Sequence, residues 1–83
     1  MGKVLVEVIL PAANTSYDIY IPLASKMSEV LFLVSNLLSV LSDNKFKATE
    51  DAVLCDAESG IIFNINMPIA ELGIKNGSKL VLI

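Results

Sequence analysis

The sequence predicts an α+β fold in which a single helix covers one face of a mixed β-sheet. Residues 3–10 alternate between two faces, and one of these faces consists entirely of valine and leucine. Between about residues 26 and 42, apolar residues recur with the 3.6-residue spacing of an amphipathic helix. Residues 79–83 are again almost wholly apolar. Apolar strands near both ends of the chain indicate that these two strands pair at the centre of the sheet.

Length and composition predict one small domain, spanning residues 1–83. A domain of this size buries roughly 60–65% of its unfolded surface. Apolar residues make up 54% of the chain and charged residues 18%, compared with about 45–50% and 25% in typical domains. The chain is therefore more apolar in composition than a small isolated domain needs to be.

The charge balance excludes several classes of partner. The net charge is −3 and all six basic residues are lysine, whereas nucleic-acid-binding domains and polybasic membrane binders carry strongly positive patches. Cys55 is the single cysteine, so no internal disulfide forms and no oxidising compartment is indicated. We expect partners other than nucleic acid.

Neither a targeting segment nor a membrane span is predicted. Glu7 interrupts the N-terminal apolar run, and no small-residue cleavage site follows it. The longest apolar run, residues 30–41, contains polar residues and is well short of the ~20 residues needed to span a bilayer. We therefore expect a cytoplasmic protein that does not insert directly into a membrane.

The first half of the chain is predicted to form a β-hairpin and then the helix. A turn at residues 11–15 and a second strand at 17–23 follow the first strand, and the short connection makes the pair antiparallel. Ser25 is predicted as the N-cap of a helix from about residue 26 to 42, with Glu29 in its favourable first turns. The predicted core face of the helix consists of Met27, Val30, Leu31, Val34, Leu37, Leu38 and Leu41.

The segment after the helix is predicted to contain a polar loop and two short strands. The loop covers residues 43–51, with Phe46 turned back onto the core. The short strands cover residues 52–56 and 61–63 on either side of a turn. This arrangement predicts a sheet of four to five strands.

The last part of the chain is predicted to be irregular and then extended. Residues 67–74 read as irregular structure or a single helical turn, and Asn76-Gly77 is typical of a turn that needs positive φ. The final strand covers residues 79–83. With the first and last strands side by side and the helix on one face, this order corresponds to the β-grasp fold, which is the fold of ubiquitin.

Residues 69–82 resemble the closing segment of ubiquitin-like proteins, with Leu72-Gly-Ile, a turn at Lys75-Asn-Gly and a final strand. As a whole, the chain resembles the small bacterial ubiquitin-like proteins of the YukD/EsaB type, which are encoded with type VII (WXG-substrate) secretion systems. The first hairpin, the helix opening Met27-Ser-Glu-Val and the LGIKNG turn carry this resemblance. It implies a non-enzymatic accessory or regulatory module whose partner is a component of a secretion machine.

The C-terminus favours action without conjugation. Conjugated ubiquitin-like proteins and sulfur carriers of this fold resemble each other in an exposed tail that ends in Gly-Gly. In this sequence no glycine follows Gly77, and the strand runs to Ile83. A conjugated modifier or carrier is therefore the least favoured hypothesis.

The sequence predicts no enzyme activity, no cofactor and no metal site. Histidine is absent, so neither a Ser-His or Cys-His nucleophile nor a histidine metal site can form. Strand alternation is expected to place Cys55 with Val53 facing the helix, as a small buried residue. Asp56 and Glu58 read as a solvated turn, because no Ca²⁺-type spacing of oxygen ligands surrounds them.

Surface contacts are therefore the expected mode of action. The sheet face away from the helix, called the open face, is predicted to carry an apolar patch that binds protein. The predicted patch consists of Leu5, Ile9, Tyr20, Leu54, Val81 and Ile83. In ubiquitin the corresponding face carries the main partner-binding patch. A contiguous patch above a few hundred Å² usually marks an interaction site, whereas scattered exposed apolar residues are normal.

Two further alternatives concern the same surfaces. Phe32, on the outer face of the helix, is predicted either to anchor a partner or to pack against the loop at residues 43–51. The apolar open face could also bind a second copy of the chain, which would make the protein a homodimer.

Overall fold

The computed structural model describes residues 2–83, so Met1, the first residue of the predicted domain, lies outside the described residues. The strands and the helix are, in chain order, β1 Lys3–Leu10, β2 Thr15–Pro22, α1 Met27–Leu41, β3 Leu54–Asp56 and β4 Lys79–Leu82. Short 3-10 helices occupy Pro11–Ala13 and Ile69–Glu71. Of the two alternatives for residues 67–74, irregular structure or a single helical turn, the structure therefore shows the helical turn.

The strands form one mixed sheet in the order β2-β1-β4-β3. β1 pairs antiparallel with β2 and parallel with β4, and β4 pairs antiparallel with β3. The predicted central pairing of the first and last strands is thus confirmed, and with it the α+β, β-grasp architecture. β2 and β3 form the two edges of the sheet.

The core lies between α1 and one face of the sheet. Its buried residues from β1, β4 and α1 are Val4, Val6, Val8, Leu10, Leu80, Leu82, Met27, Val30, Val34 and Leu38. Phe46 is also buried, as predicted, and its backbone N–H donates to Ser42 Oγ over 3.2 Å. Burial of these aliphatic side chains, each contributing about 1.5–3 kcal/mol, is the main stabilising term of the fold.

The core face of the helix differs from the prediction at its last two turns. Leu37 and Leu41 are 43% and 52% exposed, while Ser35 is buried. Leu37 lines a groove with β2, and the Leu41 carbonyl accepts a hydrogen bond from Tyr17 Oη of β2, so both leucines lie on the side of α1 that faces β2, the last strand of the sheet on that side. Nothing in the described structure lies beyond β2 to cover them, so the prediction that they belong to the core is wrong.

The start of the helix also differs by one position. Lys26, not Ser25, is the N-cap residue. The N–H of Lys26 donates to Glu29 Oε1 over 3.0 Å, which satisfies one of the free donors at the helix start. The carbonyl of Ser25 instead accepts a hydrogen bond from the N–H of Ile69 over 2.9 Å. Ser25 therefore serves to hold the Ile69–Glu71 turn against the helix entrance.

The turn before β4 fastens the last strand to the first. Gly77 has φ +86°, a conformation that favours glycine. Asn76 Oδ1 accepts the N–H of Leu5 over 2.8 Å, and the N–H of Gly77 donates to the carbonyl of Leu5 over 2.9 Å. The predicted Asn-Gly turn is therefore present and satisfies both backbone groups of Leu5 on the β4 side.

Candidate protein-binding surfaces

β3 turns its side chains the opposite way from the prediction. Leu54 pairs directly with Leu82, and Cys55 pairs with Val81. Because directly paired residues share one face of a sheet, Leu54 joins the core with Leu82 and is only 2% exposed. The placement of Leu54 on the open face and of Cys55 on the helix face is wrong. A shift of one residue exchanges the faces of a strand, and the apolar run around Leu54 shows no alternation that would indicate its phase.

A polar row divides the open face. It consists of Asp18, Glu7 and Lys79, which are paired across three neighbouring strands. On one side of this row Leu5 is paired with Tyr20, and on the other side Ile9 is paired with Val81. The predicted patch is therefore not one contiguous surface. Leu5 and Tyr20 form a small separate pair.

The larger apolar group on the open face, the open-face cluster, lies beyond the polar row. Its members are Ile9, Val53, Cys55, Ile62, Val81 and Ile83. Val53 and Ile83 exchange two backbone hydrogen bonds of 2.8 and 3.0 Å, and Ile62 forms a β-bridge with Cys55. Three members of the cluster were predicted, namely Ile9, Val81 and Ile83. The other three, Val53, Cys55 and Ile62, were not part of the predicted patch.

The exposed members of the cluster lie at its rim. Ile62 and Ile83 are more than half exposed, whereas Cys55 is only 7% exposed. The signal that could have revealed Ile62 is the pairing of residues 61–63 with β3, because the bridge partner of an open-face residue lies on the same face. The cluster is therefore an aliphatic surface with its most accessible atoms beside the 61–63 segment and the end of the described chain.

Phe32 lies on a different part of the molecule. Its side chain is 68% exposed and lines a shallow groove together with Leu31 and residues 48–50. Phe32 therefore lies beside the loop at residues 43–51 and is largely exposed, so the alternative in which it packs against this loop stays a prediction. A partner contact at Phe32 also stays a prediction.

A second apolar surface, which sequence analysis assigned partly to the core, lies on the side of α1 that faces β2. We call it the helix flank, and it consists of Leu33, Leu37, Val40 and Leu41, all of them exposed. Their spacing of four, three and one residues places them along one stripe of the helix. Between the helix flank and β2 lies a narrow groove of about 130 Å³, lined in part by Ile19, Tyr20 and Pro22.

Three further observations on the described residues concern metal binding, the Asp56 turn and membrane insertion. Across residues 2–83, no group of three or more His, Cys, Asp and Glu side chains comes close enough to hold a metal ion. Asp56 Oδ2 accepts the N–H and the Oγ–H of Ser59 over 3.0 and 2.8 Å, so this carboxylate is engaged in a turn. None of the helices described in this range has the length and apolar character needed to cross a membrane.

These features define a ubiquitin-like β-grasp domain with uncovered apolar surfaces. No protein-family model matches the chain, and no curated protein matches it in sequence. Among solved structures, it is similar to the ubiquitin-like domain of the Mycobacterium tuberculosis type VII secretion system protein EccD1. The TM-score is 0.80 at 17% identity, covering 100% of this chain and 99% of that one.

Two other solved structures have a similar fold. The EccD5 ubiquitin-like domain from Mycobacterium xenopi has a TM-score of 0.82 at 13% identity, covering 100% of this chain and 94% of that one. The ubiquitin of Caldiarchaeum subterraneum has a TM-score of 0.73 at 16% identity, covering 99% and 92%. At such low identities the likeness establishes the fold alone.

Proposed function

We propose that this protein is a non-enzymatic ubiquitin-like module of a bacterial type VII secretion system. It binds another protein component of the machine as an accessory or regulatory part, without being conjugated. The full-length similarity to two EccD ubiquitin-like domains supports this proposal. The narrower proposal of a YukD/EsaB-type protein rests on the sequence resemblance in the hairpin, the helix opening and the LGIKNG turn.

The open-face cluster is the observation that carries the proposal. Its central strands β1 and β4 have neighbours on both sides, so the cluster offers side chains and no free strand edge. A partner that covers Ile62 and Ile83 removes apolar surface from water, which contributes roughly 25 cal/mol per Å² before the costs of association. Affinity at this surface therefore depends on a few aliphatic contacts.

The chain provides a closely matched pair of variants for testing this surface. Ile61 and Ile62 are neighbours of identical chemistry and are both more than half exposed. Both residues line a groove with Asp56 and Ser59. Ile62, as the β-bridge partner of Cys55, lies on the open face, whereas alternation along the extended segment directs Ile61 to the other side. An aspartate at each position introduces the same charge on two different surfaces.

The experiment is capture of partners from cells that produce the protein, with cross-linking and quantitative mass spectrometry. We expect the unmodified protein to enrich a secretion-system component, and Ile62→Asp and Ile83→Asp to lower this enrichment by about tenfold, equivalent to 1.4 kcal/mol. Ile61→Asp should retain it. Full enrichment by both open-face variants would exclude the open-face cluster as the binding site.

The same experiment tests the wider proposal. Enrichment of no secretion-system component by the unmodified protein would contradict a role in type VII secretion. We also propose that the protein acts in the cytoplasm, which cell fractionation checks directly. Homodimerisation through the open face is the alternative, and it predicts that Ile62→Asp converts a dimer into a monomer.

A further inference from the structure

The outer edge of β2 is an unprotected strand edge. The N–H of Leu23 donates to the carbonyl of Gly2 over 2.9 Å. This bond shows which residues of β2 direct their backbone groups toward β1. By alternation along an antiparallel ladder, Ser16, Asp18 and Tyr20 direct their backbone N–H and C=O groups away from β1. These groups lie at the end of the sheet, where none of residues 2–83 forms a further strand.

β2 lacks most of the features that usually prevent an edge strand from pairing with another chain. Edge strands are commonly short, bulged or supplied with lysine and proline, which prevent pairing with another chain. β2 is eight residues long and contains no lysine, and its proline, Pro22, is the last residue of the strand. Its continuous pairing with β1 shows no bulge. The edge is therefore suited to pair with another extended strand.

The opposite edge of the sheet is different. β3 is three residues long, and its backbone is already bonded on the outer side. The N–H of Phe63 donates to the carbonyl of Leu54 over 3.1 Å, and the N–H of Asp56 donates to the carbonyl of Ile61 over 2.9 Å. One edge of the sheet is thus covered by the chain itself, and the other is left bare.

The bare edge lies beside the helix flank. The groove between them is almost entirely apolar, and within α1 the only charged residue is Glu29, near the helix start. Within β2 the only charged residue is Asp18. An occupant of this surface therefore has to provide an extended strand for the edge and, next to it, apolar side chains for the flank.

We propose that the occupant is a second copy of this chain, which pairs its β2 antiparallel to the first. The two four-stranded sheets then form one continuous sheet, with both helices on the same side. A two-fold axis perpendicular to the sheet brings the helix flanks of the two copies toward each other across the joined strands. The same patch serves on both copies, as an isologous interface requires.

Charge and hydrogen bonding favour a register with the two-fold axis at Ile19 over one with the axis at Asp18. With the two-fold axis at Ile19, Asp18 lies opposite Tyr20 of the second copy, and Ser16 lies opposite Pro22. Each free N–H then finds a carbonyl, and Pro22, which has no N–H, needs to supply only its carbonyl. With the axis at Asp18, two carboxylates would lie directly opposite each other, which is destabilising.

A second copy fits this surface better than an isolated extended peptide. A peptide could pair with the edge, but it would leave Val40 and Leu41 uncovered. The helix flank adds four exposed apolar side chains to the strand edge, and a standard interface buries roughly 800 Å² per partner, which is more than a strand edge alone offers. This interface is separate from the open-face cluster, so dimerisation and partner binding can be tested independently.

The test is the oligomeric state of the purified protein, measured by light scattering and sedimentation over a range of concentrations up to about 500 μM. We expect a dimer, and we expect Leu33→Lys and Val40→Lys each to weaken it at least tenfold. Phe32→Lys is the matched control, because Phe32 is equally exposed on the same helix but lies outside the flank. It should remain dimeric, as should Ile62→Asp. Circular dichroism checks that every variant is folded.

Amide hydrogen exchange tests the strand pairing directly. We expect the N–H groups of Asp18 and Tyr20 to be protected at high concentration and to exchange rapidly on dilution. Three results would overturn the proposal: a monomer throughout the concentration range, a dimer that both lysine variants retain, or rapid exchange of these two amides in the dimer. Protection of the amides by a different protein, with the chain alone monomeric, would assign the edge to that protein.

Discussion

The open-face cluster and the helix flank are both apolar, but they differ in the backbone beside them. The open-face cluster rests on strands that are paired on both sides or covered by residues 61–63. The helix flank lies next to the bare edge of β2. The first surface therefore offers side-chain contacts alone, while the second also offers backbone hydrogen bonds to a strand. This difference suits the two surfaces to different partners.

The largest expected effect is on stability, and it tests whether Leu54 of β3 belongs to the core or to the open face. Leu54→Asp places a carboxylate in the core, and burial of an unpaired charge costs several kcal/mol. Because a small domain has a free energy of unfolding of about 5–8 kcal/mol, we expect this variant to be largely unfolded. Far-UV circular dichroism and urea denaturation measure this.

Ile62→Asp is the control for that experiment, because it places the same charge at an exposed position of the neighbouring segment. It should change the free energy of unfolding by less than about 1 kcal/mol. A folded Leu54→Asp protein that has lost its partner would contradict the observed orientation of β3. That result would show that the Leu54 side chain belongs to the binding surface.

A smaller effect concerns the protection of Cys55. This thiol belongs to the open face yet is almost fully buried, and Ile62 is its bridge partner. We expect Ile62→Ala to raise the rate of Cys55 modification by a thiol reagent several-fold, with Ile61→Ala as the matched control. Equal rates in the two variants would show that Ile62 does not shield the thiol.

The sequence was sufficient to predict the fold but not the candidate surfaces. The two apolar strands near the chain ends and the Asn76-Gly77 turn indicate the central pairing directly. The orientation of β3 was not predictable in this way, because Val53, Leu54 and Cys55 are all apolar and show no alternation. Only their pairing with β4 reveals which side chains face the helix.

The sequence also does not show which apolar residues of α1 face the core, for a related reason. Apolar residues of α1 extend beyond the width that the sheet can cover, so periodicity alone does not show which of them are buried. Leu37 and Leu41 are left exposed because β2 is the edge strand beneath that side of the helix. Such a position depends on strand order, which is a property of the whole fold and not of the helix sequence.

The smallest expected effect tests the register at the β2 edge. With the two-fold axis at Ile19, Asp18 faces Tyr20 of the second copy, so Asp18→Asn removes no repulsion between identical carboxylates. We therefore expect the dimer dissociation constant at low salt to change by less than about threefold. If the axis lay at Asp18, the same substitution would relieve a direct repulsion of up to about 1 kcal/mol and tighten the dimer by up to about fivefold. Sedimentation at two ionic strengths separates these registers, because repulsion between exposed charges is screened by salt.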